Sequence, residues 1–425
     1  MLDVRLIRER SEFVKSELAK VGYDSLAVDA LLAADVRRRA LITEVESLRA
    51  QRAEVSRTIG KQDPAARAQL VKNMREVGDR IAALEQDLAA AEADFELRML
   101  EVPNLPDPSV PAGRDDRDNT VLRAEGQARQ FDFTPRPHWE IGPELGILDF
   151  DRGVKISGSR FYVLKGAGAR LQRALITWML DLHVGKHGYT EIYPPYLVKQ
   201  QCLYGAGQLP KFADNIYRDS EDDLWMIGTA EIPVTNLHRD EVLDASALPL
   251  SYVAYTACFR REKMSAGRDV RGIKRGHQFD KVEMYKLVTP SESPAALEQL
   301  VEHAQDVARG LEIPHRVISI CTGDLGFVAA KKYDLELWAP GCDEWLEVSS
   351  CSNCTDFQAR RTNIRYRPAP RAKPEFVHTL NGSGLALPRV LIAVMENYQQ
   401  TDGSVVVPKV LRSYMGGVDR ITPAA

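Results

Sequence analysis

Three residue types in one stretch of this chain could together handle a charged phosphorus centre. Arg260 closes an apolar run, YVAYTACF at 252–259, that reads as a strand. A basic, glycine-containing stretch follows, and a second strand-like run ending at Val288 carries Phe279, Lys281, Glu283 and Tyr285. Strand side chains alternate faces, so these four share one side. Phe279 and Glu283, four positions apart, lie about 13 Å from each other along the strand. That reach holds a flat ring at one end and the polar side chain of an amino acid at the other, which is what lengthwise binding of an aminoacyl-adenylate needs. The planar fork of Arg260 suits a phosphate and a carboxylate held together.

Residues 252–288 resemble the motif 2 hairpin of class II aminoacyl-tRNA synthetases, and among them the seryl enzymes. GYTEIYPPYLV at 188–198 resembles motif 1, and NGSGLALPRVLIAVMENYQ at 381–399 resembles motif 3. GTAEIPV at 228–234 and EVSSCSNCTDFQARR at 347–361 are similar to two further seryl-enzyme signatures. The resemblance runs through the chain in the family's order.

The resemblance implies ATP-dependent attachment of L-serine to tRNA(Ser) through a seryl-adenylate, with tRNA(Sec) left open as a second acceptor. It implies catalytic roles for Arg260 and for Arg389. Arg389 follows Pro388 at the expected first turn of a helix, where anions are favoured. Thr229, Ala230, Glu231, Arg260, Glu283 and Ser383 are implied to hold serine. Arg260, Arg261, Glu262, Gly276, Phe279, Glu347, Val348, Ser349, Ser350 and Arg389 are implied to hold ATP, with Phe279 stacked on adenine. Glu347 and Ser350 are implied to bind Mg²⁺, which prefers oxygen ligands. An acid facing the serine hydroxyl would reject alanine, because alanine leaves the acid unpaired. A structural ion pair between Glu283 and Lys281 is the disfavoured reading, since same-face neighbours point into the same cleft. Cys351 and Cys354 form a CxxC, but no second ligand pair lies at zinc spacing, so no zinc is expected. The eight histidines look scattered, without the neighbours of a general base.

Positioning these residues takes more than one unit. A length of 425 residues points to about two domains. Residues 41–59 carry Leu41, Val45, Leu48, Val55 and Ile59, with Arg52 interrupting the seam. After GKQDP, the stripe resumes through Leu70, Met74, Val77, Ile81, Leu84, Leu88, Ala91 and Phe95. Such heptads on either side of a turn predict an antiparallel two-helix arm, with Gly60 ending one helix and Pro64 opening the next. Between Arg37 and Arg80 there are eleven basic and six acidic residues, and from Ile81 to Val102 one basic and six acidic. The half nearer the turn is therefore positive, which suits a phosphate backbone. Seryl enzymes hold the long variable arm of their tRNA with such an arm. The expected contact region is 31–102, with Arg49, Arg52, Arg57, Lys61, Arg67, Lys72 and Arg75.

A proline-rich linker is expected at 106–119, between an arm domain at 1–105 and a catalytic domain at 120–425. Strand pairs of hairpin type dominate the catalytic part, so the fold class is α+β: an antiparallel sheet flanked by helices. Net charge is −4, from 56 basic and 60 acidic residues, so any RNA contact is local. Six cysteines make no disulfide framework, the N-terminus shows no secretory h-region, and no uncharged run suits a membrane. A cytoplasmic homodimer joined through motif 1 is expected.

In the motif 2 loop, FRREKMSAG departs from the family's FRSEAGS, with Arg261, Lys263 and Met264 replacing small residues. The alternatives are a ligase that charges a carrier protein and an inactive RNA-binding paralogue. The basic arm argues against the first. Retention of Arg260, Glu283, Glu347 and Arg389 argues against the second.

Overall fold

The computed structural model describes residues 1–263 and 271–423, so Met264 lies outside the described residues. The chain forms two compact units, Leu2–Pro103 and the residues from Asn104 onward together with Met1.

The N-terminal unit consists of α1 (Val4–Glu9), α2 (Ser11–Lys20), α3 (Ser25–Thr58) and α4 (Pro64–Glu101). Asp24 caps α3 by accepting the Leu26 N–H. Asp63 caps α4 by accepting the N–H groups of Ala65 and Ala66, with Pro64 in the first turn. A single 3₁₀ turn, Ile59–Lys61, joins α3 to the reversal. Every residue of the two stripes is buried or half-buried, with Val45, Ile81 and Ala91 fully so. Helix periodicity has thus set the facing surfaces, and ion pairs Arg49–Glu85 (2.7 Å) and Arg80–Glu44 (2.5 Å) flank them. Asp35, buried on α3, is held by Arg8, Arg38 and Arg39 at 2.7, 3.2 and 2.9 Å.

The C-terminal unit is built on eight strands: β1 (Thr120–Glu125), β2 (Thr190–Glu191), β3 (Leu250–Phe259), β4 (Gln278–Val288), β5 (His315–Ser319), β6 (Lys331–Ala339), β7 (Glu344–Asn353) and β8 (His378–Ala386). Their order across the sheet is β1-β5-β6-β7-β8-β4-β3-β2. All neighbours are antiparallel except the edge pair β2–β3. Helices α5 (His138–Glu144), α6 (Gly166–Gly185), α7 (Glu231–Thr235), α8 (Ser293–Gly310), α9 (Phe357–Thr362) and α10 (Leu387–Asn397) complete the elements that matter to the site.

The core lies on one face of the sheet. Leu171, Leu175 and Met179 of α6, Leu297 and Leu300 of α8, and Val390 to Met395 of α10 pack there on Val282, Met284, Leu335 and Val348. Alternation then forces the intervening residues of the same strands onto the other face. Residues 106–119, expected as a linker, hold one 3₁₀ turn and are strapped to this unit. Asp107 N–H donates to the Ala330 carbonyl at 2.8 Å, and Thr322 N–H to the Pro111 carbonyl at 2.9 Å.

Candidate active site

β3 and β4 pair along their whole length, from Leu250 opposite Leu287 to Phe259 opposite Gln278. This hairpin and β7–β8 floor a cleft of about 470 Å³. Arg260, Glu262, Gly276, Phe279, Glu283 and Arg389 all line it. So do Thr229, Glu231, Ser383, Glu347, Val348, Ser349 and Ser350. The sequence signatures, scattered over 160 positions of chain from 229 to 389, therefore meet in one cavity.

One end of the cleft is carboxylate-rich. Glu283 stands directly opposite Ser383 across the β4–β8 ladder. Its carboxylate is 2 % exposed and forms an ion pair with Lys281. The ion pair that the sequence disfavoured is therefore present. Both side chains do point into the cleft, and burial of Glu283 demands a counter-charge there. Lys281 also donates to Thr229 Oγ1 at 2.9 Å, and that hydroxyl stands 3.3 Å from Glu283 Oε2. Glu231 opens α7 and is held differently. Gln358 Nε2 and Asn381 Nδ2 donate to its Oε1 at 2.6 and 3.0 Å. Gln358 is itself fixed, because its Oε1 accepts from Tyr285 and Thr379 at 3.2 and 2.7 Å. Burial first, and then Glu283, push the Glu231 carboxyl up to about 7.

The other end gathers cations. Arg260 Nε donates to the Gly228 carbonyl at 3.1 Å, and its guanidinium lies 5.1 Å from the centre of the Phe279 ring. Glu262, at φ +50°, comes within 3.8 Å of Arg275. Arg389, in the first turn of α10, donates to the Glu347 carbonyl at 2.6 Å and stands 3.5 Å from its carboxylate. Glu347 keeps a side chain 47 % exposed; its partial desolvation at the cleft wall favours the neutral form, yet Arg389, Lys332 and Arg260 hold its carboxyl below the ordinary range. Ser350 faces Asp334 across the β6–β7 ladder. Asp334 Oδ1 is buried without a hydrogen-bond partner, and burial followed by Glu347 pushes this carboxyl up. The donors available here are oxygens alone, the set that suits Mg²⁺.

Three expected site residues do not present side chains to the cleft. Ala230 is buried in an apolar cluster with Val234 and Tyr285. Val348 points into the main core, leaving its backbone at the cleft wall. Arg261 turns away, donating to the Ile216 carbonyl at 3.1 Å with its guanidinium 4.4 Å from the Tyr217 ring centre. The arginine that replaces the family's serine thus braces residues 215–217.

Lys281, Asn381, Gln358 and Asp334 take part without having been assigned a role. Alternation already placed Lys281 between Phe279 and Glu283 on the cleft face. Asn381 and Gln358 lay inside the quoted signatures, but only the fold brings them to Glu231. Three of the eight histidines are gathered rather than scattered. His183 Nδ1 lies 3.0 Å from His187 Nδ1, His187 Nε2 lies 2.8 Å from Asp306, and His303 stacks on His187 at 4.0 Å. None of the three lines the cleft. Cys351 lies in the main core, and Cys354 sits against Asn381 at 3.6 Å. Burial pushes the Cys351 thiol up to about 12.

Two family models match this chain: the seryl-tRNA synthetase N-terminal domain over residues 1–106, and the class II tRNA synthetase core domain (G, H, P, S and T) over residues 212–398. A serine–tRNA ligase of Roseiflexus sp. (strain RS-1) is 64% identical, covering 99% of each chain. The crystal structure of seryl-tRNA synthetase from Pyrococcus horikoshii complexed with ATP is 40% identical, with a TM-score of 0.92 and coverage of 100% of both chains. The cytoplasmic serine–tRNA ligase of Naegleria fowleri in complex with AMP is 31% identical, with a TM-score of 0.87, covering 100% of this chain and 99% of its own.

Lys281→Met should cost about 3–5 kcal/mol of unfolding free energy, because it strands a buried carboxylate. Adding Glu283→Gln should recover most of that loss. Urea unfolding followed by tryptophan fluorescence measures both, and equal losses in the single and double variants would mean that the pair contributes only packing.

Proposed function

The chain belongs to the seryl-tRNA synthetase family, and from that premise we propose how its cleft attaches serine to tRNA. In the first step a serine carboxylate oxygen attacks the α-phosphorus of ATP. The bond to the β-phosphate bridging oxygen breaks, giving seryl-adenylate and pyrophosphate. In the second step the terminal ribose hydroxyl of tRNA attacks the acyl carbon, and AMP leaves. The observation that carries this reading is the opposition of two poles in one cleft: Glu231 and Glu283 at one end, Arg260 and Arg389 at the other.

At the acid pole, Glu231 takes the α-ammonium beside the Thr229 hydroxyl. Glu283 and Ser383, cross-strand partners, take the substrate hydroxyl. Alanine offers no hydroxyl to this cross-strand pair, and a site built to bond a hydroxyl rejects such an analogue by about 10⁴-fold or more. Threonine is excluded by shape. At the basic pole, Arg260 bridges the substrate carboxylate and the α-phosphate, where charge accumulates as the bond forms. Phe279 offers its ring to adenine, and the backbone near Glu262 and Gly276 borders the nucleotide. Arg389 meets the γ-phosphate. Glu347 and Ser350 would hold Mg²⁺, with Asp334 beside them. Bound there, the ion supplies positive charge to the phosphate oxygens.

The helical arm, within an N-terminal domain at 1–105, holds tRNA(Ser), and tRNA(Sec) stands as a second candidate acceptor. Arg52, Lys61, Arg67, Lys72 and Arg75 are exposed and carry no ion-pair partner among the described residues. Arg49 and Arg57 already pair with Glu85 and Glu54. The homodimer contact lies at motif 1, where Tyr193 is 81 % exposed and Leu197 48 %. A cytoplasmic location agrees with the free thiols of all six cysteines.

ATP–pyrophosphate exchange tests the substrate. Serine should support it, while alanine, glycine and threonine should fall short by orders of magnitude. Glu283→Ala should erase the preference for serine over alanine, and equal exchange with serine and alanine by the parent chain would overturn the assignment. A carboxylate attracts an ammonium only when ionised, so the serine KM should fall as pH rises through about 7. Glu231→Gln should flatten that profile. Deleting residues 31–102 should leave exchange largely intact and abolish tRNA charging, whereas normal charging by the truncated chain would remove the arm from the reading.

A further inference from the structure

Behind the nucleotide end of the cleft, one buried carboxylate ties three separate segments together. Glu396, on the last turn of α10, is fully buried. Its Oε1 accepts the His138 N–H at 2.9 Å, and its Oε2 accepts the N–H groups of Gly341 and Cys342 at 2.9 and 3.0 Å. His138 Nδ1 also lies 2.9 Å from Oε1, and Cys342 Sγ lies 3.1 Å from it. One turn on, Gln399 accepts the Arg136 N–H at 2.8 Å and donates to the Arg136 carbonyl at 3.0 Å. The start of α5 and the β6–β7 turn are therefore fixed to the helix that presents Arg389.

The other ring nitrogen of His138 reaches the site. Ile273 N–H donates to His138 Nε2 at 3.2 Å. A backbone N–H can donate only to an unprotonated nitrogen, so the ring proton sits on Nδ1, aimed at Glu396. His138 Nδ1, Cys342 Sγ and a Glu396 oxygen lie within 4.8 Å of one another, a spacing open to a metal. The Nδ1 proton occupies the place that a cation would need, and five donors already serve the carboxylate. The cluster is a hydrogen-bonded strut instead.

We propose that His138 is a positioning residue for the nucleotide. Through Ile273 it fixes the return limb of the motif 2 hairpin, so that Lys274, Arg275 and Gly276 border the cleft at a set distance from Arg389. Three features support this. Gly272, at φ +74°, brings the backbone so close that an added Cβ would sit 2.0 Å from His138 Nε2. Lys274 Nζ is pinned to Glu344 at 2.7 Å, on the same turn that Glu396 holds. The Arg271 guanidinium lies 5.4 Å from the centre of the Trp139 ring, the residue next to His138. The limb is thus held at three successive contacts before it reaches Gly276, and the His138 contact runs back to the Arg389 helix directly through Glu396.

The proposal rests on ATP binding at this pole, and the full-length enzyme tests it in serine-dependent exchange. His138→Ala removes both ring contacts. His138→Asn keeps a polar group near Nδ1 and loses the acceptor for Ile273. His138→Gln places an amide oxygen near Nε2 and keeps that acceptor. The Ala and Asn variants should raise the KM for ATP about tenfold, with the KM for serine within about twofold and kcat less affected. His138→Gln should restore the ATP KM to within about threefold of the parent, even though its thermal stability falls like that of the others. Should His138→Ala fail to fold, Gly272→Ala drives a methyl at the same contact and should also raise the ATP KM selectively. An unchanged ATP KM in the Asn variant, no rescue by Gln, or a parallel rise in both KM values would overturn the positioning role. Absence of serine-dependent exchange in the parent chain would instead overturn the function on which it rests.

Discussion

A carboxylate removed from water must be compensated, and the C-terminal unit meets that requirement in three chemically different ways. Glu283 has an opposite charge, Lys281. Glu231 is hydrogen-bonded by neutral amides, from Gln358 and Asn381. Glu396 has backbone N–H groups from two segments, joined by a histidine and a thiol. These choices sort the three acids by task. In the proposed function, the lysine-paired acid meets the substrate hydroxyl. The amide-held acid is left able to accept an incoming cation. The N–H-bound acid is satisfied and serves as a structural anchor.

The sheet makes this possible with little else. A strand that buries Val282 and Met284 on one face has to present Lys281 and Glu283 on the other. Register then adds the partner: the β4–β8 ladder sets Ser383 against Glu283, and Asn381 against Tyr285. Side chains from distant parts of the sequence reach their places because the ladder leaves them no other. The helices on the opposite face supply the apolar packing that stabilises the arrangement, and α10 also delivers Arg389 to the cleft from its first turn.

How much of this could be read in the sequence depended on how local each signal was. The arm was legible because its heptads, the Gly60 break and Pro64 are all short-range features, and every stripe residue found cover. The cleft residues were legible because period-two alternation and the motif signatures mark them. Lys281 shows the limit of that reading. Its face was evident, yet the ion pair with Glu283 followed from burial, which spacing does not reveal. The Glu396 hub and the histidine group drew no notice, since each includes a partner more than 100 positions away in sequence, His138 for Glu396 and Asp306 for His187. Arg261 appeared as a substitution in a nucleotide loop, and its actual partner, Tyr217, belongs to a segment with no signature at all.

The close approach at Gly272 has a further consequence for how this chain can change over generations. Any side chain at 272 collides with the imidazole, and loss of the imidazole strands the neighbouring Ile273 amide. Neither position can drift ahead of the other without a penalty, so the two form a single heritable unit. A lineage would leave this arrangement only by a concerted double replacement or by passing through a weakened ancestor.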